Sequence, residues 1–236
     1  MTSTVYLIPS FLSEESTDTI PTYVLEAVKK CAVIFAENER TTRRFLKSMD
    51  ASIDINQFEW HTIHKVEAEQ IQQLKSSIKE NKNIAIISEA GCPGIADPGQ
   101  ILVAVAQEMK CIIKPLVGPS SILLSLMASG LNGQQFEFVG YLPIDNADRI
   151  KKIKELETAS LKNNSTKIFI ETPYRNNQLF ESILQHCNSQ TKLCIGINIT
   201  HKEEKIVTRT IAEWKKNKID FHKLPATFLI YAGTGS

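Results

Sequence analysis

The sequence predicts an α/β protein of two lobes, with a mainly parallel sheet in the N-terminal lobe and a mixed sheet in the C-terminal lobe. Short apolar runs alternate with segments of helical spacing along the whole chain, and loops rich in glycine and proline follow several runs. A chain of 236 residues can form two such lobes, each with its own core. We expect the lobes to comprise residues 1–116 and 117–236, with a ligand cleft between them.

Each element predicted in the N-terminal lobe follows from its local residue pattern. The run at residues 5–8 is short and apolar and stops at Pro9, which predicts a buried strand. A helical face near residues 21–28 follows it, then an apolar strand at 31–36 and a helix at 41–49. Alternation at residues 58–60 predicts a half-buried strand, and apolar positions three and four apart at 71–78 predict a helix. A strand at 84–87, a helix at 101–109 and a strand at 112–116 complete the lobe.

The C-terminal half begins with a helix at residues 120–129, for which Gly130 is a plausible C′ residue. A strand is predicted at 136–142 and a basic helix at 150–156, and the polar segment 159–166 is predicted to be a flexible connection. A strand at 167–170 and a helix at 179–183 follow. Residues 193–199, 206–210 and 227–232 are β-rich and close together, which favours a partly antiparallel sheet. The basic run 149–154 is interpreted as a solvated helix face, with an RNA-contacting patch as the alternative.

Composition excludes several classes of protein. The hydrophobic fraction of 42% is too high for a disordered chain, and the net charge of +1 provides no global basic field for nucleic acid. RNA binding through a local basic patch is not excluded by this net charge. The five cysteines are scattered and no CxxC occurs, so we expect neither disulfides nor a metal site. The pair His61 and His64 would place its rings on opposite faces of a strand. The N-terminus is unlike a signal peptide and no apolar run could span a membrane, so we expect a cytoplasmic protein.

The segment most informative about function is residues 88–99, SEAGCPGIADPG, which lies between a predicted strand and a predicted helix. Its glycines and prolines impose an unusual backbone path. Glu89 and Asp97 make the loop anionic, which suits a cationic or amine-bearing ligand rather than a phosphate. The sequence also lacks the glycine spacing of the common nucleotide-phosphate loops. The alternative is a long structural turn without a ligand.

Three further loops follow predicted strands. Ser120 and Ser121 lie before a predicted helix, where a serine either caps the helix or helps to hold a ligand. Glu171 and Arg175 either form a surface ion pair or face the cleft. The same two interpretations apply to residues 37–40, which contain a second acidic and basic pair.

Taken in order, these loops resemble the tetrapyrrole methylase superfamily of S-adenosylmethionine-dependent methyltransferases. The chain is most similar to the branch that methylates a ribose 2′-hydroxyl of cytidine in bacterial 16S ribosomal RNA. The matching segments lie between about residues 5 and 233: 36–43, 88–99, 118–120, 128–131, 140–143 and 171–175. The resemblance implies two α/β lobes, a cofactor cleft, a homodimer and ribosomal RNA or the small ribosomal subunit as partner. It implies neither a metal nor a membrane.

The resemblance also implies roles for individual residues. The cofactor S-adenosyl-L-methionine would lie against a loop, a helix start and the last strand: Glu89, Gly91, Ile95, Ala96, Asp97, Pro98, Gly99, Ser120, Ser121, Ala226 and Thr227. A hydroxyl acceptor must lose its proton, for which Glu37 and Glu171 are the candidate catalytic bases. Arg40 and Arg175 are the candidates to hold substrate phosphates.

The sequence departs from the ribosomal branch mainly on the substrate side. The turn after the first strand lacks the branch's glycine and asparagine, the Glu-Asp-Thr-Arg motif reads ENER at 37–40, and basic residues are missing at 144–145 and 197–201. The branch's small C-terminal extension has no counterpart before Ser236. Two alternatives therefore stay open: methylation of a tetrapyrrole or another small molecule, and a non-catalytic protein that binds the cofactor.

Overall fold

A computed structural model of the chain describes residues 3–63 and 68–233. The chain divides into two compact units, Met1–Ser120 and Ser121–Ser236.

The first unit is built on a five-stranded sheet with the order β3-β2-β4-β1-β5, and every neighbouring pair of strands is parallel. Its strands are β1 (Thr4–Ile8), β2 (Val33–Ala36), β3 (Glu59–Thr62), β4 (Ile84–Ile87) and β5 (Ile112–Pro115). Its helices are α1 (Thr22–Val28), α2 (Glu39–Met49), α3 (Ala68–Lys79) and α4 (Gly99–Glu108). Short 3₁₀ turns occur at Thr17–Thr19 and Ile55–Gln57.

Helices cover both faces of this sheet, which explains why β2 and β4 are apolar at every position. On β2, Ile34 and Ala36 pack in one buried cluster with residues of α1 and α2. Their neighbours Val33 and Phe35 pack in a second cluster with residues of α3 and α4. Because both faces are buried, the loops at the strand ends are the accessible part of the sheet.

The second unit contains a mixed five-stranded sheet with the order β6-β7-β10-β8-β9. Its strands are β6 (Phe136–Tyr141), β7 (Thr166–Ile170), β8 (Lys192–Ile197), β9 (Lys205–Thr210) and β10 (Ala226–Tyr231). Its helices are α5 (Ser121–Ser129), α6 (Asn146–Asn163), α7 (Asn176–His186) and α8 (Ile211–Lys216), with a 3₁₀ turn at Pro173–Arg175. The pair β6 and β7 is parallel, whereas β10 runs antiparallel to both β7 and β8.

The predicted fold class is confirmed in both sheets, two local expectations are wrong, and one helix was missed. Residues 159–163 belong to α6 rather than to a flexible connection, because Ser160 is fully buried and donates its hydroxyl to the Ser165 carbonyl. The basic run is not entirely solvated, since Arg149 is buried and donates to the carbonyl of Ile144 and the side chain of Asn146. The short helix α8 was not predicted.

The start of α8 is held by a reciprocal capping box between Thr210 and Glu213. Its buried Trp214 donates its indole N–H to the Leu193 carbonyl. Among the described helices, none is both long enough and apolar enough to cross a membrane.

Candidate functional site

In the first unit, three loops meet beyond the carboxyl ends of the parallel strands. The loop after β1 pairs with the loop after β4, since the Ser10 and Gly91 amides each donate to the other's carbonyl, at 2.9 and 3.1 Å. The loop after β5 lies against the first of them so closely that a Cβ on Gly118 would be 2.2 Å from the Cβ of Pro9. Only glycine is compatible with this approach. The sheet therefore gathers three separate chain segments into one surface.

The loop at residues 88–99 has the unusual backbone that its glycines and prolines predict. Gly91 and Gly94 adopt positive φ, and so does Ala96 with φ of 62°. Positive φ is uncommon for a residue with a side chain, so the backbone of Ala96 is held in this conformation by the surrounding loop. The Ser88 hydroxyl contacts the carbonyls of Ala90 and Gly91 from inside the loop. These interactions fix the path that carries the two predicted carboxylates.

Asp97 uses only half of its carboxylate to hold this loop. Its Oδ1 accepts from the amides of Gly94 and Gly99, at 2.9 and 2.8 Å, which ties the loop to the first residue of α4. Its Oδ2 is buried and has no hydrogen-bond partner among the described residues. Burial raises the pKa of this carboxyl, the two amide bonds oppose that effect, and the neighbouring Glu37 raises the pKa further. This oxygen keeps unused acceptor capacity, which an ordered water or a ligand can satisfy.

Two more acidic side chains lie at the same edge of the sheet. Glu37, directly after β2, accepts the Glu89 amide at 3.0 Å. The Glu89 carboxylate is exposed and accepts from the Asn38 side chain at 3.4 Å. Asn38 also caps α2 by accepting from the amides of Arg40 and Thr41. The result is an acidic surface, made of Glu37, Glu89 and Asp97, that suits a cationic group.

The second unit places another set of predicted residues at the carboxyl end of β7. The Glu171 side chain is only 1% exposed, and its Oε1 accepts from Arg175 at 2.6 and 3.0 Å. The same oxygen accepts the Thr172 amide. The hydrogen bond to Glu171 raises the pKa of Arg175, with smaller contributions from the charges of Glu171 and Tyr141. This is a partly buried ion pair rather than the surface pair that was the alternative.

The start of β10 lies beside this pair, because β10 runs antiparallel to β7. Thr227 is in register with Ile170, the last residue of β7, and with Gly196 of β8. Ala226, the first residue of β10, is in register with Ile197. Within the second unit, the sheet thus brings Ala226 and Thr227 to the edge that carries Glu171 and Arg175.

The remaining predicted residues are distributed as follows. Ile95 is exposed on the loop after β4, and Arg40 is exposed on α2 without an ion pair to any described residue. Ser120 closes the loop after β5, and Ser121 begins α5. No group of three metal-ligating side chains occurs among the described residues, and His64 lies outside them.

Several residues that shape the site-bearing edges of the two sheets were not identified from the sequence. Ser10 and Asn38 hold loops together through bonds that depend on tertiary contact, and no spacing in the sequence indicates them. Thr42 is buried in α2 with a hydroxyl that has no partner in the described chain. The only sequence signal for Thr42 is that it precedes Arg43 within residues 36–43, one of the segments that match the family.

The first unit has an all-parallel sheet with an acidic loop after its fourth strand, and the second unit has a mixed sheet. The sequence model described as Tetrapyrrole (Corrin/Porphyrin) Methylases matches residues 16–215, and the chain belongs to this family.

Individual relatives agree with this assignment. The chain is 32% identical over 172 residues to ribosomal RNA small subunit methyltransferase I of Micromonospora olivasterospora, a match that covers 73% of this chain and 52% of the relative. It thus spans about half the length of that protein.

The fold is also that of the methyltransferase CobJ, with a TM-score of 0.64 at 16% identity, over 98% of this chain and 93% of CobJ. A third match is uroporphyrin-III C-methyltransferase from Thermus thermophilus, solved in complex with S-adenosylhomocysteine, with a TM-score of 0.59 at 13% identity over 97% of each chain.

Proposed function

We propose that the protein is an S-adenosylmethionine-dependent methyltransferase. The observation that carries the proposal is the buried Oδ2 of Asp97, which has no partner among the described residues and lies on an acidic, strained loop. S-adenosylmethionine carries an ammonium and a sulfonium group, and both are favoured beside carboxylates. The family assignment supports this cofactor, as does the complex of the Thermus thermophilus relative with S-adenosylhomocysteine.

In this proposal the loop at residues 88–99 holds the amino-acid part of the cofactor. Asp97 and Glu89 accept hydrogen bonds from its ammonium group, and the glycines let the backbone approach closely. Ser120 and Ser121 lie beside it, and Ala226 and Thr227 contact the adenine. When bound, the cofactor supplies an electrophilic methyl group, so the task of the chain is to orient the acceptor and exclude water.

We propose ribosomal RNA of the small subunit as the acceptor, with a ribose 2′-hydroxyl as the methylated group. The similarity to ribosomal RNA small subunit methyltransferase I supports this choice. A local charge pattern supports it too: α6 exposes Lys151, Lys154 and Lys162, hereafter the α6 lysines, and none has an ion pair with a described residue. They lie on one side of the helix, where unpaired ammonium groups can neutralise phosphates.

Two carboxylates are proposed as the base that accepts the hydroxyl proton. Glu37 is half-buried at the edge that carries the acidic loop. Glu171 is more deeply buried, and its Oε1 is already occupied by Arg175 and Thr172. Arg40, exposed and without an ion pair in the described chain, is proposed to contact phosphate, as is the part of Arg175 that faces away from Glu171. Replacing each glutamate with glutamine tests the base, and full turnover in both variants excludes the role.

A homodimer in the cytoplasm is also part of the proposal. Several large apolar side chains are strongly exposed, including Met127 at 78% and Ile144 at 69%, and a partner copy would bury such surface. Light scattering at several concentrations gives the oligomeric state directly, and a monomer at every concentration excludes the dimer.

The decisive experiment uses S-adenosylmethionine labelled in its methyl group. The protein is incubated with small ribosomal subunits from a strain that lacks this gene, and separately with a low-molecular-weight extract and with uroporphyrin III. Label in ribosomal RNA supports the proposal, and nuclease mapping then locates the methylated nucleotide. Label in small molecules alone excludes RNA as acceptor. Tight binding of the cofactor without label in any fraction favours a non-catalytic role.

A further inference from the structure

The second unit presents an exposed tyrosine that has no part in the proposed cofactor site or in the proposed base. Tyr174 lies in the 3₁₀ turn at Pro173–Arg175 and is 72% exposed. Single exposed apolar side chains are common on protein surfaces and by themselves indicate no function. The surroundings of this ring decide whether it has one.

The backbone that carries Tyr174 is fixed on both sides. Arg175, the next residue, is bonded to the buried Glu171 at 2.6 and 3.0 Å. From another segment of the chain, the Lys223 amide donates to the Pro173 carbonyl at 3.1 Å. The ring is therefore presented to solvent by an ordered turn, so a ligand that stacks on it does not have to order the backbone first.

The segment that contributes this amide is residues 217–225, hereafter the β10 loop because it leads into β10. Two side chains at the start of α7 tie it down. Asn176 donates to the Leu224 carbonyl at 2.6 Å. Asn177 donates to the Asp220 carboxylate at 2.7 Å. The β10 loop and the 3₁₀ turn thus form one ordered surface of the second unit.

Two side chains of the β10 loop flank the tyrosine ring. The Lys223 Nζ lies 5.7 Å from the Tyr174 ring centroid, and the His222 ring packs edge to face with it, with centroids 6.3 Å apart. Both flanking residues are exposed, and Lys223 has no ion pair with a described residue. The acidic side chain of the loop, Asp220, already accepts from Asn177 and from the His222 amide. An unpaired ammonium group therefore lies beside an exposed aromatic ring.

This combination favours an unpaired nucleotide over a protein partner. Single-stranded RNA is bound by aromatic rings on which bases stack and by cations that contact the adjoining phosphates. The centre of a protein interface, in contrast, is apolar and poor in charged residues. The exposed Leu123 and Met127 of the apolar helix α5 have that character, whereas the ring of Tyr174 is flanked by a lysine and a histidine.

We propose that Tyr174 and Lys223 bind an unpaired nucleotide of the RNA substrate, with a base stacked on the ring and a phosphate at the ammonium group. The inference rests on the proposed function, which it extends by assigning a place where the second unit holds the RNA. Stacking does not read the edges of a base, so we expect little sequence preference. The pair captures RNA and takes no part in the transfer of the methyl group.

The test measures the binding of short oligouridylate and oligoadenylate by fluorescence anisotropy. Tyr174→Ala should bind both about 5- to 100-fold more weakly, because one stacked base is lost. Tyr174→Phe keeps the ring and should bind as the wild type does. Lys223→Gln should reduce the slope of log K against log salt by about 0.7, the contribution of one phosphate of a single strand.

Phe136→Ala is the matched control, because it also removes an exposed ring from the second unit. Phe136 is 44% exposed at the first residue of β6, and no cation lies over its ring in the described structure. This variant should keep the wild-type affinity for both oligonucleotides. A blunt RNA duplex is the control ligand, since its bases are paired and Tyr174→Ala should bind it as the wild type does.

Three results would overturn the inference. The first is wild-type affinity of Tyr174→Ala for both oligonucleotides. The second is an equal loss of affinity in Phe136→Ala, which would show that the position of the ring does not matter. The third is an equal loss for the blunt duplex, which would show that no unpaired base stacks on the ring. Melting temperatures measured on the same samples establish that each variant is folded.

Methyl transfer to small ribosomal subunits separates this inference from the proposed function. We expect Tyr174→Ala to raise the KM for the subunits and to leave kcat unchanged, because the ring acts in capture alone. If the wild type labels ribosomal RNA while Tyr174→Ala keeps the wild-type KM and oligonucleotide affinity, only the assignment of this pair fails. If the wild type neither binds RNA nor labels it, the proposed RNA acceptor fails together with the inference.

Discussion

Replacing Asp97 with asparagine separates the structural role of this side chain from its proposed role in binding. Asparagine keeps the Oδ1 that accepts from Gly94 and Gly99 at 2.9 and 2.8 Å, so the loop should retain its path. The change removes the negative charge and replaces the unpartnered Oδ2 with an amide group. The loop geometry should therefore stay constant while the electrostatics change.

The direction of the stability change follows from the pKa. Burial raises the pKa of the Asp97 carboxyl above its ordinary value of about 3.9, so the folded state binds the proton more tightly than the unfolded state. The free energy of unfolding contributed by this group therefore falls as the pH rises from below the unfolded pKa through the folded one. At pH 7 the wild type carries this cost in full, and we expect Asp97→Asn to be at least as stable.

The effect on ligand binding has the opposite sign. A hydrogen bond between charged groups contributes about 1.5–3 kcal/mol. Its loss corresponds to a Kd for S-adenosylmethionine that is about 10- to 150-fold higher, at about 1.4 kcal/mol per factor of ten. Calorimetric titration and thermal unfolding at pH 7 measure the two quantities. A side chain that is retained at a cost in stability is typical of a binding site.

Asp145→Asn is the control for the backbone contacts. Asp145 caps α6 with one carboxylate oxygen that accepts two amides, as Asp97 does in its loop, but it is exposed. We expect this control to bind the cofactor as wild type does. An unchanged Kd in Asp97→Asn would refute the reasoning, and so would a large drop in its melting temperature, because then the carboxylate would be structural.

Three further predictions concern other parts of the chain. Cofactor binding should slow alkylation of Cys92, whose sulfur lies 3.5 Å from the Pro119 carbonyl at the loop surface. Cys31 should be inert at pH 8 with or without cofactor, because burial raises its pKa to about 12. Mass spectrometry of alkylated peptides measures both rates. Gly196→Ala should lower the free energy of unfolding by about 1–3 kcal/mol in chemical denaturation, since its Cβ would lie 2.4 Å from the Ser125 hydroxyl, and Ser125→Gly in the same chain should recover part of the loss. Changing the α6 lysines together to glutamine should reduce the slope of log K against log salt for RNA binding by about 2, and an unchanged slope would exclude them as phosphate contacts.

The sheets could be predicted from sequence because their strands are short, continuous apolar runs. Ile84–Ile87 was predicted with the bounds that the structure gives, since the run is bounded by polar residues and buried on both faces. The last turns of α6 could not be predicted in this way, because their inward residue is a serine whose burial is satisfied by a backbone carbonyl. The helix Ile211–Lys216 was too short to show a period and depends on Trp214 packing under β8.

The candidate site was only partly accessible to the same reasoning. The loop at residues 88–99 could be located because its composition requires unusual backbone angles directly after a strand. The contact of Ser10 with Gly91 and the approach of Gly118 to Pro9 could not be predicted, since both join segments about 80 to 110 residues apart. Which oxygen of Asp97 stays unpaired is likewise decided by tertiary structure alone.

The departure at Asn38 can be explained by its surroundings. An aspartate at this position would cap α2 equally well, but it would place a second negative charge 3.4 Å from the Glu89 carboxylate. Asparagine keeps the cap through its oxygen and offers its amide group to Glu89, so the exchange preserves both the helix start and the acidic surface. Glu37, Glu89 and Asp97 lie at one edge of the sheet although the charge of Glu37 raises the pKa of Asp97, and a bound cation would relieve this repulsion. The altered motif is therefore an argument for retained cofactor binding, and the choice between a catalytic and a non-catalytic protein rests on the acceptor side.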